Sequence, residues 1–553
     1  MAHWRVVHWR VMDGQTEFDV VVAGSGAAAL SAALTAAVGG LSVLIVEKSD
    51  RIGGTSAMSG GGTWIPANHL AAAAGIADSA EDAWRYVRAA SPDGWEADEA
   101  PLWRAFVAHA APMLRFVEQH SPLRYELIDE PDPQAEQPGG KSVGRMVSPR
   151  PLSRRLVGRY ARRIRRSTLP HIFSYREAHG IDPYNHPVRA YAGLAPTLLR
   201  RWLTDTRGCG TALIVGLLKG CLDAGARMQL GARVVGLLRE PDGRVCGVSV
   251  EQDGRRRNYK AARGVVLATG GFEWDAAMRA AHFPGPLDRL GSPDTNTGDG
   301  QRLAAEAGAR LERMDQANVY PTLPTRYDGR AHGMPMTWQA APHSIVVDRT
   351  GRRFGSEYDY NLGEALDRRD ASGAPLHLPA WLVGDARFLR RSAGFRWYAR
   401  KERGWVRQAA DLASLAAAID VPAAALAATI ARFNGFCAAG RDADYARGES
   451  VWERYKSGNR HGPGNPTLGA IERAPFVAVP LNRSILGTKG GARTDDRGRV
   501  LREDGGVIAG LYCAGNAMAN PIGTRALGAG TTIGPCMTWG YLCARDLLGN
   551  APA

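Results

Sequence analysis

No apolar run in this sequence reaches the 18 or so residues that a membrane-crossing helix takes. Its first ten residues, Met1-Ala-His-Trp-Arg-Val-Val-His-Trp-Arg10, lack the apolar core of a secretory signal. The seven cysteines (209, 221, 246, 437, 513, 536, 543) show no Cys-x-x-Cys spacing, so they read as reduced thiols in a cytoplasmic protein. The histidines do not fall beside cysteines or acids at ligand spacing, and no metal site is expected. Internal repeats and long low-complexity tracts are missing. No recognition motif accompanies the basic charge, which argues against a nucleic-acid partner.

What is present fits a multidomain globular protein. At 553 residues the chain exceeds the usual size of one core, and its apolar fraction of 45% is ordinary. The net charge is +14, and much of it crowds into Arg150, Arg154, Arg155, Arg159, Arg162, Arg163, Arg165 and Arg166, a helical-looking segment. Two readings are open for residues 150–166: a peripheral contact with anionic lipid or an acidic electron acceptor, or a solvated insertion. The second is favoured.

The chemistry begins at Asp19-Val-Val-Val-Ala-Gly24-Ser-Gly26-Ala-Ala-Ala29, followed by Leu41-Ser-Val-Leu-Ile-Val-Glu47-Lys48. This reads as strand, glycine turn, helix and second strand ending in an acid, the opening of a dinucleotide-binding βαβ unit. Gly24, Ser25, Gly26, Ala27 and Ala28 would face the pyrophosphate at the helix N-terminus, and Glu47, with Lys48 beside it, the ribose.

Three further stretches point to a flavin. Gly53-Gly54-Thr55-Ser56-Ala-Met-Ser59-Gly60-Gly61-Gly62-Thr63-Trp64 is rich in free N–H groups and poor in Cβ bulk, so it can wrap a flat ring and a phosphate. A dehydrogenase using only nicotinamide has no need of it. The candidate ligands here are Gly54, Thr55, Ser56, Ser59, Gly60, Gly61 and Gly62. A buried strand ends at Ala268-Thr269-Gly270, and Asn296-Thr-Gly-Asp299-Gly builds a turn whose Asn296 and Asp299 fall near the same cofactor. A C-terminal run supplies Gly515, Asn516, Gly530, Thr531, Thr532 and Ile533. The cofactor is read as FAD.

These runs, with Gly351-Arg-Arg-Phe354 and Thr488-Lys-Gly-Gly491, resemble the flavoprotein superfamily of succinate dehydrogenase and fumarate reductase, and within it the 3-ketosteroid dehydrogenases. They span residues 19–541. The resemblance implies an α/β fold, with a Rossmann-like FAD-binding domain in two parts and an inserted α+β substrate domain. The expected division is a 1–16 arm, a first FAD part over 17–288 with a helical arginine-rich insertion at about 95–205, a substrate domain over 289–462, and a second FAD part over 463–553. Within these, Leu213–Ala224 reads as a helix, Met228–Leu238 as one strand and Ala413–Ala428 as a helical run.

The resemblance also implies desaturation beside a carbonyl. A tyrosine removes the α-proton, the β-hydrogen passes as hydride to the flavin, and a backbone N–H with a hydroxyl holds the ketone. The ketone-binding glycine matches Gly530. The hydroxyl partner four residues earlier is Ala526 in this chain, and proline (Pro133) stands where another family tyrosine falls. The remaining tyrosine maps to Tyr360 if one residue is deleted and to Asn361 otherwise, with Tyr358 a second candidate. Arg525 lies one position from a carboxylate-binding arginine of the fumarate reductases.

The expected activity is FAD-dependent desaturation of a small apolar cyclic ketone, steroid-like or smaller, with a quinone or electron-transfer protein as an open choice of acceptor. Two other readings stay open: an enone or enoate reductase, and a non-catalytic FAD-binding redox partner.

Overall fold

The computed structural model describes residues 16–183, 185 and 187–549. The N-terminal arm therefore lies, but for Thr16, outside the described residues. The main sheet has eight strands. Along its path run Arg499–Leu501, Val507–Cys513, Arg255–Leu267, β1 (Glu17–Ala23), β2 (Val43–Glu47) and Arg227–Leu230, and the antiparallel pair Val245–Gln252 and Arg233–Arg239 branches from Arg255–Leu267. The four strands from Val507–Cys513 to β2 are parallel neighbours, pairing Ala23 with Leu267 and with Val46, and Leu267 with Cys513. Their carboxyl ends therefore align, and residues 24–26, 268–270 and 514–516 emerge at one edge. These strands read Val-Val-Val, Val-Leu-Ile-Val and Val-Val-Leu, continuous apolar runs that are buried throughout.

Helix α1 (Ala27–Val38) and the last helix (Ile533–Leu547) cover one face together. A Cβ on Gly540 would stand 2.2 Å from the Ala28 carbonyl oxygen, so the two backbones touch. Ser31 Oγ donates to the Met537 carbonyl across the contact at 2.7 Å. Alanine fills most of α1, and every residue from Ala27 to Ala37 is buried.

A second sheet, antiparallel, orders Ser344–Asp348, Ala380–Gly384, Phe476–Pro480 and Arg407–Ala409. One of its faces packs on Phe354, Leu366, Phe388 and Phe395, the other on Leu415, Leu426, Ile430 and Phe433. Phe476–Pro480 lies beyond the expected return at 463. Val477 and Val479 belong to this second core, so the chain rejoins the flavin body later, through Ser484–Thr488 and Gly491–Ala492.

Three expected elements differ in detail. Met228–Leu238 is broken at Gly231-Ala232 into two strands of different partners. Ala413–Ala428 is two helices, Leu412–Ala418 and Ala423–Ala439, separated by Asp420 at φ 54° and by Pro422, whose ring and missing N–H begin the second. The arginine segment is a kinked 3-10 stretch, Arg154–Arg163, broken at Gly158. Its end docks by backbone on the loop after β2: Ile52 N–H donates to Arg163 O at 2.8 Å and Arg165 N–H to Ile52 O at 3.0 Å. Among the described residues no helix is long and apolar enough to cross a membrane.

Gly540→Val overpacks the α1 contact against backbone, which gives no room by rotamer change, and costs about 3 kcal/mol or more. Thermal melting should fall by several degrees and FAD retention with it; a variant that melts with the parent would remove this contact from the account.

Candidate functional site

The aligned strand ends open onto one cavity. All the candidate cofactor residues line it: the Gly24–Ala28 turn, Glu47 and Lys48, the 54–62 loop, Ala268–Gly270, Asn296 and Asp299, Gly515 and Asn516, and Gly530–Ile533. Two helices start at its wall, α1 behind Gly26 and the last helix behind Thr532, and neither has a side-chain cap. Both point the positive end of a dipole at the cavity. Among the described residues, Ala28 and Ala29 keep free N–H groups in the first turn of α1; in the last helix Gly534 N–H is bonded to Gly530 O and residue 535 is proline, which leaves Ile533 N–H.

The first turn is built for close approach. Gly24 sits at φ 112°, and a Cβ there would fall 2.3 Å from Ala268 O, so only glycine lets the two strand ends converge. Ser56 Oγ accepts from Ala27 N–H at 3.1 Å, tying the second glycine loop to the start of α1. Ser25 Oγ donates to Glu47 Oε2 at 2.6 Å, and Ser49 N–H to Oε1 at 2.8 Å. Glu47 is 8% exposed, and burial pushes its carboxyl up despite these bonds. A ribose hydroxyl pair donating to it would supply what it lacks. Beside it, burial raises Asp299, but Arg233 and Lys48 at 2.8 and 3.0 Å outweigh that and hold its carboxyl below the usual range. Asn296 Nδ2 bridges Thr55 Oγ1 and Glu273 Oε1 at 2.9 and 2.7 Å.

Gly530 lies at φ 87° with its carbonyl accepting from Trp64 N–H at 3.3 Å; a Cβ there would enter the Thr63–Trp64 backbone at 2.6 Å. Within the described residues no acceptor takes its own N–H.

The candidate catalytic residues part company. Tyr360 reaches the cavity wall, its ring edge-on to Trp452 at 4.8 Å. Asn361, the alternative position, clamps the Ala526 backbone instead, with Nδ2 donating to O at 3.1 Å and Oδ1 accepting from N–H at 2.8 Å. Tyr358 does not line the cavity: it is 2% exposed, turned into the second core with its ring 4.9 Å from the Arg447 guanidinium. Just before them Glu357 is buried and held by Arg353, Arg447 and Val346 N–H, which fixes which tyrosine turns outward. Arg525 is likewise not at the cavity wall. Its guanidinium makes a bidentate pair with Glu364, at 2.8 and 2.7 Å, so its charge is already spent on the second unit.

The structure also adds wall residues that sequence motifs did not mark. Met146, Thr168, Leu169 and Tyr175 come from the arginine-rich insertion, and Asn318, Pro335 and Leu486 from the hairpins between the two sheets. None sits in a glycine pattern; Tyr175 has only the local signal of its capping box, Ser174 with Glu177.

Fold and cavity together define an FAD-dependent oxidoreductase of the fumarate reductase and ketosteroid dehydrogenase superfamily. The FAD binding domain family matches residues 19–533, and the chain belongs to it. It is 36% identical to a 3-oxosteroid 1-dehydrogenase of Mycolicibacterium smegmatis, over 98% of this chain and 99% of that one. To a 4-oxocyclohexanecarboxylate 2-dehydrogenase of Sinomonas cyclohexanicum it is 38% identical, over 97% and 94%. The crystal structure of 3-ketosteroid Δ1-dehydrogenase from Sterolibacterium denitrificans, in complex with 1,4-androstadiene-3,17-dione, superposes with a TM-score of 0.87 at 32% identity, covering 97% of this chain and 100% of that one.

One wall segment is pH-sensitive. Between Leu169 and Tyr175, His171 is buried with Nδ1 2.8 Å from Thr211 Oγ1, and burial pushes its imidazole down to about 4. Below its ordinary value near 6.5 the unfolded chain takes a proton that the folded chain refuses, so stability is lost as pH falls, by on the order of 3 kcal/mol at pH 4. His171→Asn should flatten that part of the melting profile between pH 6.5 and 4; an unchanged slope would clear His171.

Proposed function

We propose that the protein desaturates a small uncharged cyclic ketone between the carbons α and β to its carbonyl. The residues at the cavity fit FAD: the two helix starts suit a pyrophosphate, Glu47 suits a ribose, and the 54–62 loop suits a flat ring. FAD, when bound, supplies the two-electron acceptor for the β-hydrogen.

The chain's own residues do the rest. Gly530 N–H donates to the ketone oxygen and stabilises the enolate charge that develops there. A cavity tyrosine, for which the candidates are Tyr360 and Tyr175, receives the α-proton. Loss of both hydrogens leaves a carbon–carbon double bond conjugated with the carbonyl. The surrounding wall, with Met146, Leu169, Pro335, Leu486, Ala526 and Ala529, is apolar and excludes water.

The observation that carries this reading is the charge of that wall. Among the described residues the cavity has one cation, Lys48, and it is bonded to Thr297 and Asp299 beside Glu47. Nothing at the Gly530 and Tyr360 end can grip a carboxylate, which weighs against the enoate reductase. The relatives named for 3-oxosteroids and for 4-oxocyclohexanecarboxylate support the cyclic-ketone class; the second name carries a carboxylate, so the uncharged substrate rests on the cavity wall alone.

Anaerobic titration with saturated cyclic ketones should bleach the oxidised flavin band. Arg525→Ala removes a tie to Glu364 and no substrate contact, so it should lower kcat through positioning while ketone affinity stays within about threefold. A carboxylated ketone that binds tenfold more tightly, with the gain lost in Arg525→Ala, would overturn the reading.

A further inference from the structure

Glu130 is 3% exposed, and among the described residues one hydrogen bond serves its carboxylate. Glu47, Glu273 and Glu453, buried without a cation, each have both oxygens bonded, and other buried acids have arginines. Glu99 is bonded to Arg313 and Arg493, Asp132 to Arg145, and Glu357 to Arg353 and Arg447. Among the described residues no lysine or arginine lies within ion-pair distance of Glu130. Arg460 is bonded to Asp129, next to it in sequence. A buried charge is ordinarily paired, so an unpaired one calls for a reason.

Its side-chain partner is Tyr175, whose Oη donates to Glu130 Oε2 at 3.0 Å. Tyr175 is a wall residue of the cavity; Glu130 stands behind it. The ring is held in place. A Cβ on Gly60 would come within 3.1 Å of it, so it lies on the glycine loop assigned to the flavin, with Met146, Ile128, Cys209 and Ala529 packed around it. Its backbone begins the helix Tyr175–Gly180, capped by Ser174 and braced by the Glu177–Arg201 pair at 2.6 Å.

Resting on the ketone reading above, we propose that Tyr175 and Glu130 form the proton-accepting unit of the site, with Tyr175 touching the substrate and Glu130 acting through it. As the α C–H bond breaks, its proton forms a new O–H bond on Tyr175 Oη. The phenol proton already there moves along the hydrogen bond to Glu130 Oε2. The C–H electron pair becomes the new π bond, and the β-hydrogen leaves with its own pair to bound oxidised flavin. Tyr175 stays neutral throughout, so no free phenolate is needed. That matters here, because burial, with the charge of Glu130 adding to it, raises Tyr175 and Tyr360 well above the ordinary phenol range. Tyr360 has no carboxylate hydrogen-bonded to it and shapes the cavity beside the pair.

The test separates proton removal from turnover. The probe is β,β,β′,β′-tetramethylcyclohexanone, which has α-hydrogens and no β-hydrogen to give as hydride. Holoenzyme is incubated with it in deuterium oxide and α-deuterium uptake is read by mass spectrometry. Tyr175→Phe, Glu130→Gln and Tyr360→Phe are compared, with flavin absorbance and melting temperature recorded for each. Tyr175→Phe should slow exchange by about a hundredfold or more, the scale of a lost acid–base group. Glu130→Gln keeps the shape and the acceptor oxygen but cannot hold the proton. It should slow exchange and kcat by about tenfold or more while KM stays within about threefold, as for a group that acts only in the transition state. Exchange within threefold of the parent in both Tyr175→Phe and Glu130→Gln overturns the proposal, most directly if Tyr360→Phe alone abolishes it. A parent that still desaturates cyclic ketones in that case leaves the proposed function standing. A parent that neither exchanges α-protons nor bleaches with any cyclic ketone removes both.

Discussion

The structure depends on the direct backbone contact between α1 and the last helix. Two helices from opposite ends of the described chain approach so closely that Gly540 has the Ala28 carbonyl where a side chain would be. Once they are parallel and in contact, their N-termini are fixed side by side at the strand ends, and two free-N–H sites become one. Either helix alone offers a weak anion site. The pair, with Gly24 and Gly530 letting the chain pass under and over it, makes a wall that a long dinucleotide can follow. Small residues at the helix crossing are therefore a requirement of the cofactor site, not of the helices.

This closure has a topological consequence. The segment between the two FAD-type parts must leave the sheet and come back, and the second sheet is built on that excursion. What holds the two units in register is a set of polar ties clustered at the C-terminal run. Arg525 pairs with Glu364 and Asn361 clamps Ala526 across the two units, and within the flavin body the same run is steadied by Lys489 Nζ, which donates to Gly523 O at 2.7 Å. Gln301 Nε2 reaches Gly490 O and Asn516 O at 3.1 and 3.0 Å. Each tie joins residues far apart in sequence, and together they set where Tyr360 stands relative to Gly530. The geometry of the reacting end is thus a tertiary property, and Arg525 contributes to it by bonding protein rather than substrate.

That distinction explains what could be seen in the sequence. The cofactor wall was legible because each part is local: a strand, a glycine turn and a helix start announce themselves within ten residues, and free N–H groups need no particular side chain. The reacting end was only half legible. Gly530 has a fixed register in its motif, but whether 358, 360 or 361 faces the cavity follows from the burial of Glu357 among arginines up to 90 residues away. Arg525 read as a substrate ligand because its partner Glu364 is 161 positions distant. Tyr175 and Glu130 come together across 45 positions of an insertion with no motif at all. The later return to the flavin body has a similar cause, since Phe476–Pro480 is apolar enough for either sheet and only pairing with Ala380–Gly384 decides.

The arginine excess now has a physical place. Arg145, Arg447, Arg483 and Arg493 are buried, and the side chain of Arg353 nearly so, each bonded to carboxylates, where the planar guanidinium can satisfy several acceptors at once. The 150–166 belt is different in kind: most of its arginines are exposed, but its end, Ile164 and Arg165, is buried against the loop after β2. Ile52 and Ile164 pair as a bridge, Arg165 Nη2 reaches Ser49 Oγ at 2.9 Å, and Ser49 N–H in turn holds Glu47. An insertion that looks in sequence like a solvated cationic stretch therefore buttresses the acid at the end of β2. A little further along, the same insertion delivers Tyr175 to the opposite end of the cavity. One segment spans both ends of the cavity, so changes in its packing should reach cofactor retention and proton transfer together, whereas changes in its exposed charges should reach neither.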